Sequence, residues 1–395
     1  MIFKFFKPSP LSITMLRRAE IFFAIREELN DSNELQANYV FNGKANSWFR
    51  LSRLILHEAA IAGGVPDAAI VGNSELDRIT HKISAKAYTN FRRRDVSLTE
   101  IKEFISKEIN DLSKTIEVKG ALKGGLPKIL EVLIPQELQQ RAAITSFSKT
   151  ATNPVVWGHY ADGGRGFGLI YCPTDNKLEI RTLCDSNITG LGRRGKKPVV
   201  IAEHTFNIQL EKVIYRKSPP KLNGFHLLSY QLAQEPGSFD LHDTTLYFKG
   251  INIKDYKASK LIKHPAWRYE EEVRSFLPFS LFRANESATR IAEVSARYIT
   301  GIILGPEMTK RDTQSCLRAL EMLRNHAKGK NSFGPRLIPI FKAQRRADSL
   351  DFEIVPFAGI TGGNHTRRYE AGTEGLKPRH RRHMDELCLQ INRKD

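Results

Sequence analysis

Apolar residues recur along this chain at two spacings, and the change from one to the other near residue 142 organises the sequence. The opening carries two short Ile- and Phe-rich runs, IFKFF and AEIFFAI, which read as strands around a turn. Turn formers follow in LNDSNEL. Helical spacing then takes over. Trp48, Leu51, Leu54 and Ile55 share one face, and beyond GGVPD so do Leu76, Ile79, Ile83 and Phe91. The clearest stripe is Ile101, Phe104, Ile105, Ile109, Leu112 and Ile116, opened by a Ser97–Glu100 capping box. These helices are expected to cover a sheet.

From about Ala142 the pattern becomes short runs of β-branched and aromatic residues: AAITSFS, GFGLIYC, LEIRTL, PVVIAEHTFNI and LEKVIY. The basic LGRRGKKP between two of them reads as an exposed loop. WRYEEEVRSFLPF and YITGIILG follow as strands, then a helix from about Thr309 to Lys328, and RLIPIF and FEIVPF as a closing strand pair. Beyond Gly359 the periodicity ends. The expected class is α+β, a mixed and mostly antiparallel sheet with a helical insertion at about 44–141. Residues 1–360 form one domain, and 361–395 a disordered basic tail.

Composition adds three constraints. No run approaches the roughly 18 apolar residues that span a bilayer, and MIFKFFKPSP is too short for a signal segment, so no membrane partner is expected and a cytoplasmic location is. Cys172, Cys184, Cys316 and Cys388 lie far apart without a CxxC pair, which predicts reduced thiols and no zinc site. The net charge is +18, and the tail carries eight Lys/Arg against five Asp/Glu, so most of the excess sits on the folded body. A field of that sign attracts polyanions and makes nucleic acid the expected partner.

Two segments hold candidate chemistry. In Trp267–Arg274, WRYEEEVR, an extended backbone would set Glu270, Glu272 and Arg274 on one face, with the carboxylates roughly 7 Å apart. A carboxylate held ionised by a guanidinium, beside a second that handles a proton, suits chemistry at a sugar carbon, where an oxocarbenium ion develops. A solvated strand face laced with ion pairs would leave the same trace. In Trp157–Gly168, WGHYADGGRGFG, a short aromatic helix runs into a glycine-rich turn. The turn's N–H groups and Arg165 could meet an anion, with the His159 imidazole beside them as a candidate proton carrier. A tight structural turn explains those glycines equally, and core packing explains Trp157 and Tyr160. Asn30–Glu34 reads first as a turn, with Asp31 and Glu34 as possible metal or ribose ligands.

Taken in order, these blocks resemble a prokaryotic family known as domain-of-unknown-function family 2971. The matching residues are Phe3-Lys4-Phe5, Leu29 through Glu34, Ser146-Phe147-Ser148, Trp157 through Phe167, and Val213 with Tyr215. Lys263, Trp267, Tyr269, Glu270, Glu272 and Arg274 continue the pattern, and Ile302–Gly305 and Ile338–Ala343 end it. The first turn departs from it, with Ser32, Asn33 and Glu34 where the family has Pro, Phe and Asp. The resemblance supplies no reaction.

In motif order the chain is also similar to ADP-ribosyltransferases, with Lys4 on an early strand, an aromatic block, and a late Glu-x-Glu strand. That similarity implies NAD as the cofactor. Glu272 would engage the ribose, Glu270 would orient the acceptor, and Arg165 or Arg274 would hold the diphosphate. Tyr160 would stack on nicotinamide, with Lys4, His159 and Trp157 also at the cofactor. A toxin or phage-defence role fits by analogy. The competing expectation is a basic nucleic-acid-binding module or metal-dependent nuclease. It would use LGRRGKKP, Arg92-Arg93-Arg94 and RHRRH on phosphates, and Asp31, Glu34, Glu270 and Glu272 on magnesium.

Overall fold

Ile2–Phe6 carries its apolar side chains on alternating faces of an extended backbone, and it lies at the middle of the principal sheet. In the computed structural model this sheet contains β1 (Ile2–Phe6), β2 (Ala143–Ser148), β3 (Phe167–Tyr171), β4 (Glu211–Lys212), β5 (Glu272–Leu277), β6 (Ile299–Leu304), β7 (Leu337–Arg345) and β8 (Phe352–Thr361). Their spatial order is β4-β5-β2-β1-β3-β6-β7-β8. Every pairing is antiparallel except β6 with β7, so the fold is α+β with a mixed, mostly antiparallel sheet. The structure describes residues 1–31, 33–66, 69–70, 73–114, 116–133, 142–182, 190–194, 197–201, 205–225, 258–277, 286–326, 337–361 and 376–393.

The chain divides into two compact units, one of Met1–Glu34, Arg141–Lys217 and Lys263–Asp395, the other of Leu35–Gln140 and Ser218–Ile262. In the first unit both faces of the sheet are covered. Ile2, Phe147, Leu169, Val273 and Ile302 share a core with a second, four-stranded sheet and with Cys316 and Leu320 of the helix Lys310–His326. Phe3, Ile170, Ile303 and Phe341 pack on the other side with Trp157 of the helix Pro154–Tyr160 and with Leu387 and Ile391 of the helix Pro378–Asn392.

In the second unit the helices Ala45–Ala62, Ser74–Phe91, Leu98–Asn110 and Lys119–Lys128 bury their stripes chiefly against one another. Phe41 and Val96, from a three-stranded sheet, join that core. The helices approach closely at Gly125, where an added Cβ would lie 1.9 Å from the Ala59 carbonyl oxygen. Helices that pack on helices replace the cover over a sheet that their stripes suggested, because each stripe finds an apolar partner within the unit.

Four local expectations also change. The opening strands are separated by a helix, Pro10–Arg17, rather than a turn, set by a Ser9–Ser12 capping box and Pro at its first position. Within LGRRGKKP, Leu191–Arg194 and Lys197–Pro198 lie in paired strands, Gly190–Arg194 with Lys197–Ile201, and Gly195 and Lys196 lie outside the described residues. The disorder expected over 361–395 does not hold for Pro378–Asn392, where buried Met384, Leu387 and Ile391 recur at helical spacing. Residues 362–375 lie outside the described residues. WRYE is a 3-10 helix, Pro265–Glu270, and the strand begins only at Glu272.

Candidate functional site

The 3-10 helix and β5 are joined by Glu271, which adopts a left-handed backbone (φ 45°, ψ 50°). That conformation costs a non-glycine residue on the order of 1 kcal/mol or more. It turns the chain sharply between Glu270 and Glu272. The two carboxylates therefore converge through a kink and not through strand alternation. The Lys149 N–H donates to the Glu271 carbonyl at 3.1 Å, and the Ser148 hydroxyl to the Glu270 carbonyl at 2.6 Å, which ties the kink to the end of β2.

Both carboxylates meet the ammonium of Lys263, whose Nζ donates to Glu270 Oε2 at 2.6 Å and to Glu272 Oε2 at 2.9 Å. It also lies 2.9 Å from Glu34 Oε1. Arg274 completes the network: its Nε donates to Glu272 Oε1 at 2.6 Å and an Nη to Glu34 Oε2 at 2.7 Å. Glu270 and Glu272 are each 4% exposed and Arg274 is 0% exposed, so this is no solvated strand face. Tyr160, at the end of its helix, donates its hydroxyl to Glu270 Oε1 at 2.5 Å. Tyr215 accepts from the Glu272 N–H at 2.9 Å.

Removed from water, these charges are held by one another. Burial by itself would raise Glu272, but Arg274, Lys263 and a hydrogen bond from Ser146 outweigh it and hold the carboxyl down at about 2. Burial would lower Lys263, and Glu272, Glu34 and Glu270 more than reverse that. Glu270 moves the other way from Glu272. Burial, reinforced by the Glu272 charge, raises it against the pull of Lys263 and Tyr160. Three carboxyls face two cations, and Glu270 is the one whose carboxyl is driven up. Two neighbouring carboxyls driven in opposite directions are the arrangement that divides acid–base roles.

Above this network lies a group of aromatic rings. His159 is exposed, Trp267 and Tyr269 are half-buried, and the three centroids are 5.9 to 6.1 Å apart. The Lys263 ammonium sits 4.7 Å from the Trp267 centroid, on the buried side.

The structure thus gathers Glu270, Glu272, Arg274, Tyr160 and His159, and separates others from them. Trp157 is buried in the core, its indole N–H spent on the Ala151 carbonyl at 2.7 Å. Lys4 points to the opposite face of the sheet, where Nζ donates to Thr145 Oγ1 at 2.9 Å and stands 5.2 Å from the Phe147 ring. Burial lowers its ammonium to about 8, with the Glu272 charge opposing. Arg165 is exposed and bound to Asp162 at 2.8 Å. The turn around it cradles no anion: the N–H groups of Gly164, Arg165 and Gly166 donate to Ala161 and Asp162 carbonyls. Gly166 is required sterically, since a Cβ there would lie 2.0 Å from the Phe6 carbonyl oxygen. Arg274 is fully enclosed and has no room for a diphosphate.

Asp31 caps the turn, accepting from the Asn33 N–H at 2.9 Å, whereas Glu34 belongs to the network. Ser32 lies outside the described residues. All six oxygens of Glu34, Glu270 and Glu272 already accept from Lys263, Arg274 or Tyr160, so these residues do not fit a divalent cation. Among the described residues no His/Cys/Asp/Glu group is arranged to hold a metal.

Sequence reasoning missed the part played by Lys263, Tyr215 and Ser148. Lys263 was legible only as part of the family pattern, and its role exists only once Glu34 is brought from a distant segment to Glu270.

Fold and network together define an α+β protein built around a buried carboxylate–cation cluster. Residues 156–275 match a family model described as Protein of unknown function (DUF2971), the family that the chain resembles. That stretch includes Trp157, Tyr160, Lys263, Glu270, Glu272 and Arg274, but neither Lys4 nor Glu34. No curated protein and no solved structure matches the chain. Among the described residues no helix is long and apolar enough to cross a membrane.

Proposed function

We propose that the protein is an enzyme acting at a glycosidic carbon, an NAD-dependent ADP-ribosyltransferase-like transferase that modifies nucleic acid or protein. The observation that carries this reading is the pair Glu270 and Glu272, raised and lowered on a single ammonium. Glu272, held ionised by Arg274 and Lys263, supplies fixed negative charge opposite positive charge developing at a sugar carbon. Glu270 takes the proton of the acceptor, and the half-buried Tyr160 hydroxyl links it to the surface. NAD would supply the ADP-ribosyl group, with nicotinamide as the leaving group. The rings of His159, Trp267 and Tyr269 suit a planar heterocycle. The roles differ from those the motif order implied, because Glu272 is held by Arg274 and Lys263 and acts as a positioning charge, while Glu270, bonded to the Tyr160 hydroxyl, handles the proton.

The test is incubation of the native protein, Glu270→Gln and Glu272→Gln with labelled NAD and a mixture of RNA, DNA and cell lysate. Native protein should release nicotinamide and label a macromolecule, and Glu270→Gln should lose roughly a hundredfold or more. No release by folded protein across varied acceptors, or full activity in Glu270→Gln, would sink the reading. Magnesium-dependent cleavage of nucleic acid instead would favour the nuclease. The +18 charge favours a polyanionic acceptor, and a basic binding module without transferase activity is the second reading.

A further inference from the structure

Exposed cations from three separate segments are anchored by their backbone or by a ring to the elements that carry the aromatic rings and the network. Arg268, exposed between Trp267 and Tyr269, has its guanidinium 5.9 Å from the Tyr215 ring. Arg216 is exposed and held beside Lys263, whose carbonyl accepts its N–H at 3.0 Å. Lys149 is exposed beside the kink, its N–H on the Glu271 carbonyl at 3.1 Å. Within residues 262–277 the one exposed acid is Glu271. Solvent-accessible aromatic rings beside cations are the combination that binds a nucleic-acid strand whose bases are unpaired: rings take the base faces and cations track the phosphates. A duplex hides its base faces and offers only phosphates to such a surface.

We infer that Trp267, Tyr269 and His159, with Arg268, Arg216 and Lys149, form a binding face for single-stranded nucleic acid, an unpaired base stacking on the outer face of Trp267. The inner face of that indole is taken by the Lys263 ammonium, so one face remains for a base. Trp267 and Tyr269 are inclined at 36°, and His159 stands at 83° to Trp267. A base lying on the indole therefore meets the imidazole nearly edge-on and is held from two sides. This deepens the transferase reading by naming its acceptor class, a nucleobase in single-stranded nucleic acid, and it stands or falls on binding.

Fluorescence isolates the contact, because Trp48 and Trp157 are each 1% exposed and Trp267 is the half-buried indole that a strand can reach. The full chain would be titrated with a 12-nucleotide single strand and with the matching duplex, and binding of the labelled strand followed by anisotropy. The single strand should quench the indole and bind about tenfold or more tighter than the duplex. Trp267→Ala should lose about tenfold in affinity for the strand, while Trp267→Phe keeps most of it with an unchanged melting curve. Arg216→Ala with Arg268→Ala should flatten the log affinity against log salt slope by about 1.4, at roughly 0.7 for each phosphate no longer neutralised.

Glu270→Gln should bind the strand like the native protein. Binding that persists with no transfer from NAD would leave the face standing and remove the transferase. A strand bound no better than duplex or a Trp267→Ala variant with undiminished affinity would overturn the face even with transferase activity intact.

Discussion

Arg165 and Arg274 make the same bond to a carboxylate, at 2.8 Å to Asp162 and 2.6 Å to Glu272, in opposite settings. Arg165 sits on an exposed turn where water solvates each partner nearly as well as the other does. Arg274 has no exposed surface, and its charge is held against Glu272 and Glu34. The first pair is a detail of the surface. The second is one edge of a network in which each charge depends on the rest, so the buried bond fixes geometry more than it adds net stability. The largest effect expected anywhere in the molecule follows from this dependence. Glu272→Ala leaves Arg274 and Lys263 short of a carboxylate in the interior and should lower unfolding stability by about 3–5 kcal/mol in urea titrations. Pairing it with Arg274→Met should recover part of that loss. A single variant as stable as the parent would mean that the network is not energetically coupled.

Lys4 extends the comparison to a partly buried cation that has hydrogen bonds but no ion pair of its own at contact distance among the described residues. Its ammonium falls from 10.5 to about 8, so between those values the unfolded chain binds more protons than the folded one. Stability should therefore rise with pH through that window, by up to about 3 kcal/mol, and Lys4→Met should flatten the rise. A parent whose stability is flat from pH 8 to 10.5 would show that the amine is solvated in the folded state.

The same comparison shows how much was legible. Runs of β-branched and aromatic residues located β1, β2, β3 and β6, and periodicity located the helices Ala45–Ala62, Ser74–Phe91 and Leu98–Asn110, each of which buries one face at a fixed spacing; Lys119–Lys128 was not read as a helix. The helix Pro10–Arg17 is two turns long and too short for periodicity to speak, and the Pro378–Asn392 stripe is masked by its charges. For the site, Glu270, Glu272 and Arg274 stand together in sequence, and their grouping was readable. The reason for it was not: the Glu271 kink replaces the expected alternation, and Glu34 arrives from a distant segment. Burial was equally invisible, since a solvated strand and a sealed network share one sequence pattern.

Glu270 gives a smaller effect of opposite sign to Glu272. Folding raises its carboxyl above 4.5, so the folded chain binds the extra proton and stability falls as pH rises through the raised value. Glu272 contributes the reverse, stability present above 4.5 and lost as pH falls towards 2. Glu270→Gln should remove the first component alone, leaving a variant that gains on the parent by on the order of 1 kcal/mol as pH rises from 4 to 8. A parallel pair of pH–stability curves would mean that Glu270 titrates like a solvated carboxyl, which would also withdraw the proton-handling role proposed for it.

The exposed pair closes the scale. Asp162 has a left-handed backbone at φ 51°, which asparagine tolerates as well as aspartate, and its carboxylate is held low by Arg165 in open solvent. Asp162→Asn and Arg165→Ala should leave the melting midpoint unchanged within error and be insensitive to salt. Gly166→Ala, four residues from Asp162 in the same turn, should by contrast be strongly destabilising, since its Cβ has no space beside Phe6. If Arg165→Ala nevertheless reduced strand affinity or NAD turnover in an unaltered fold, the turn would join the aromatic face as a phosphate contact made by a side chain, its backbone N–H groups being already spent.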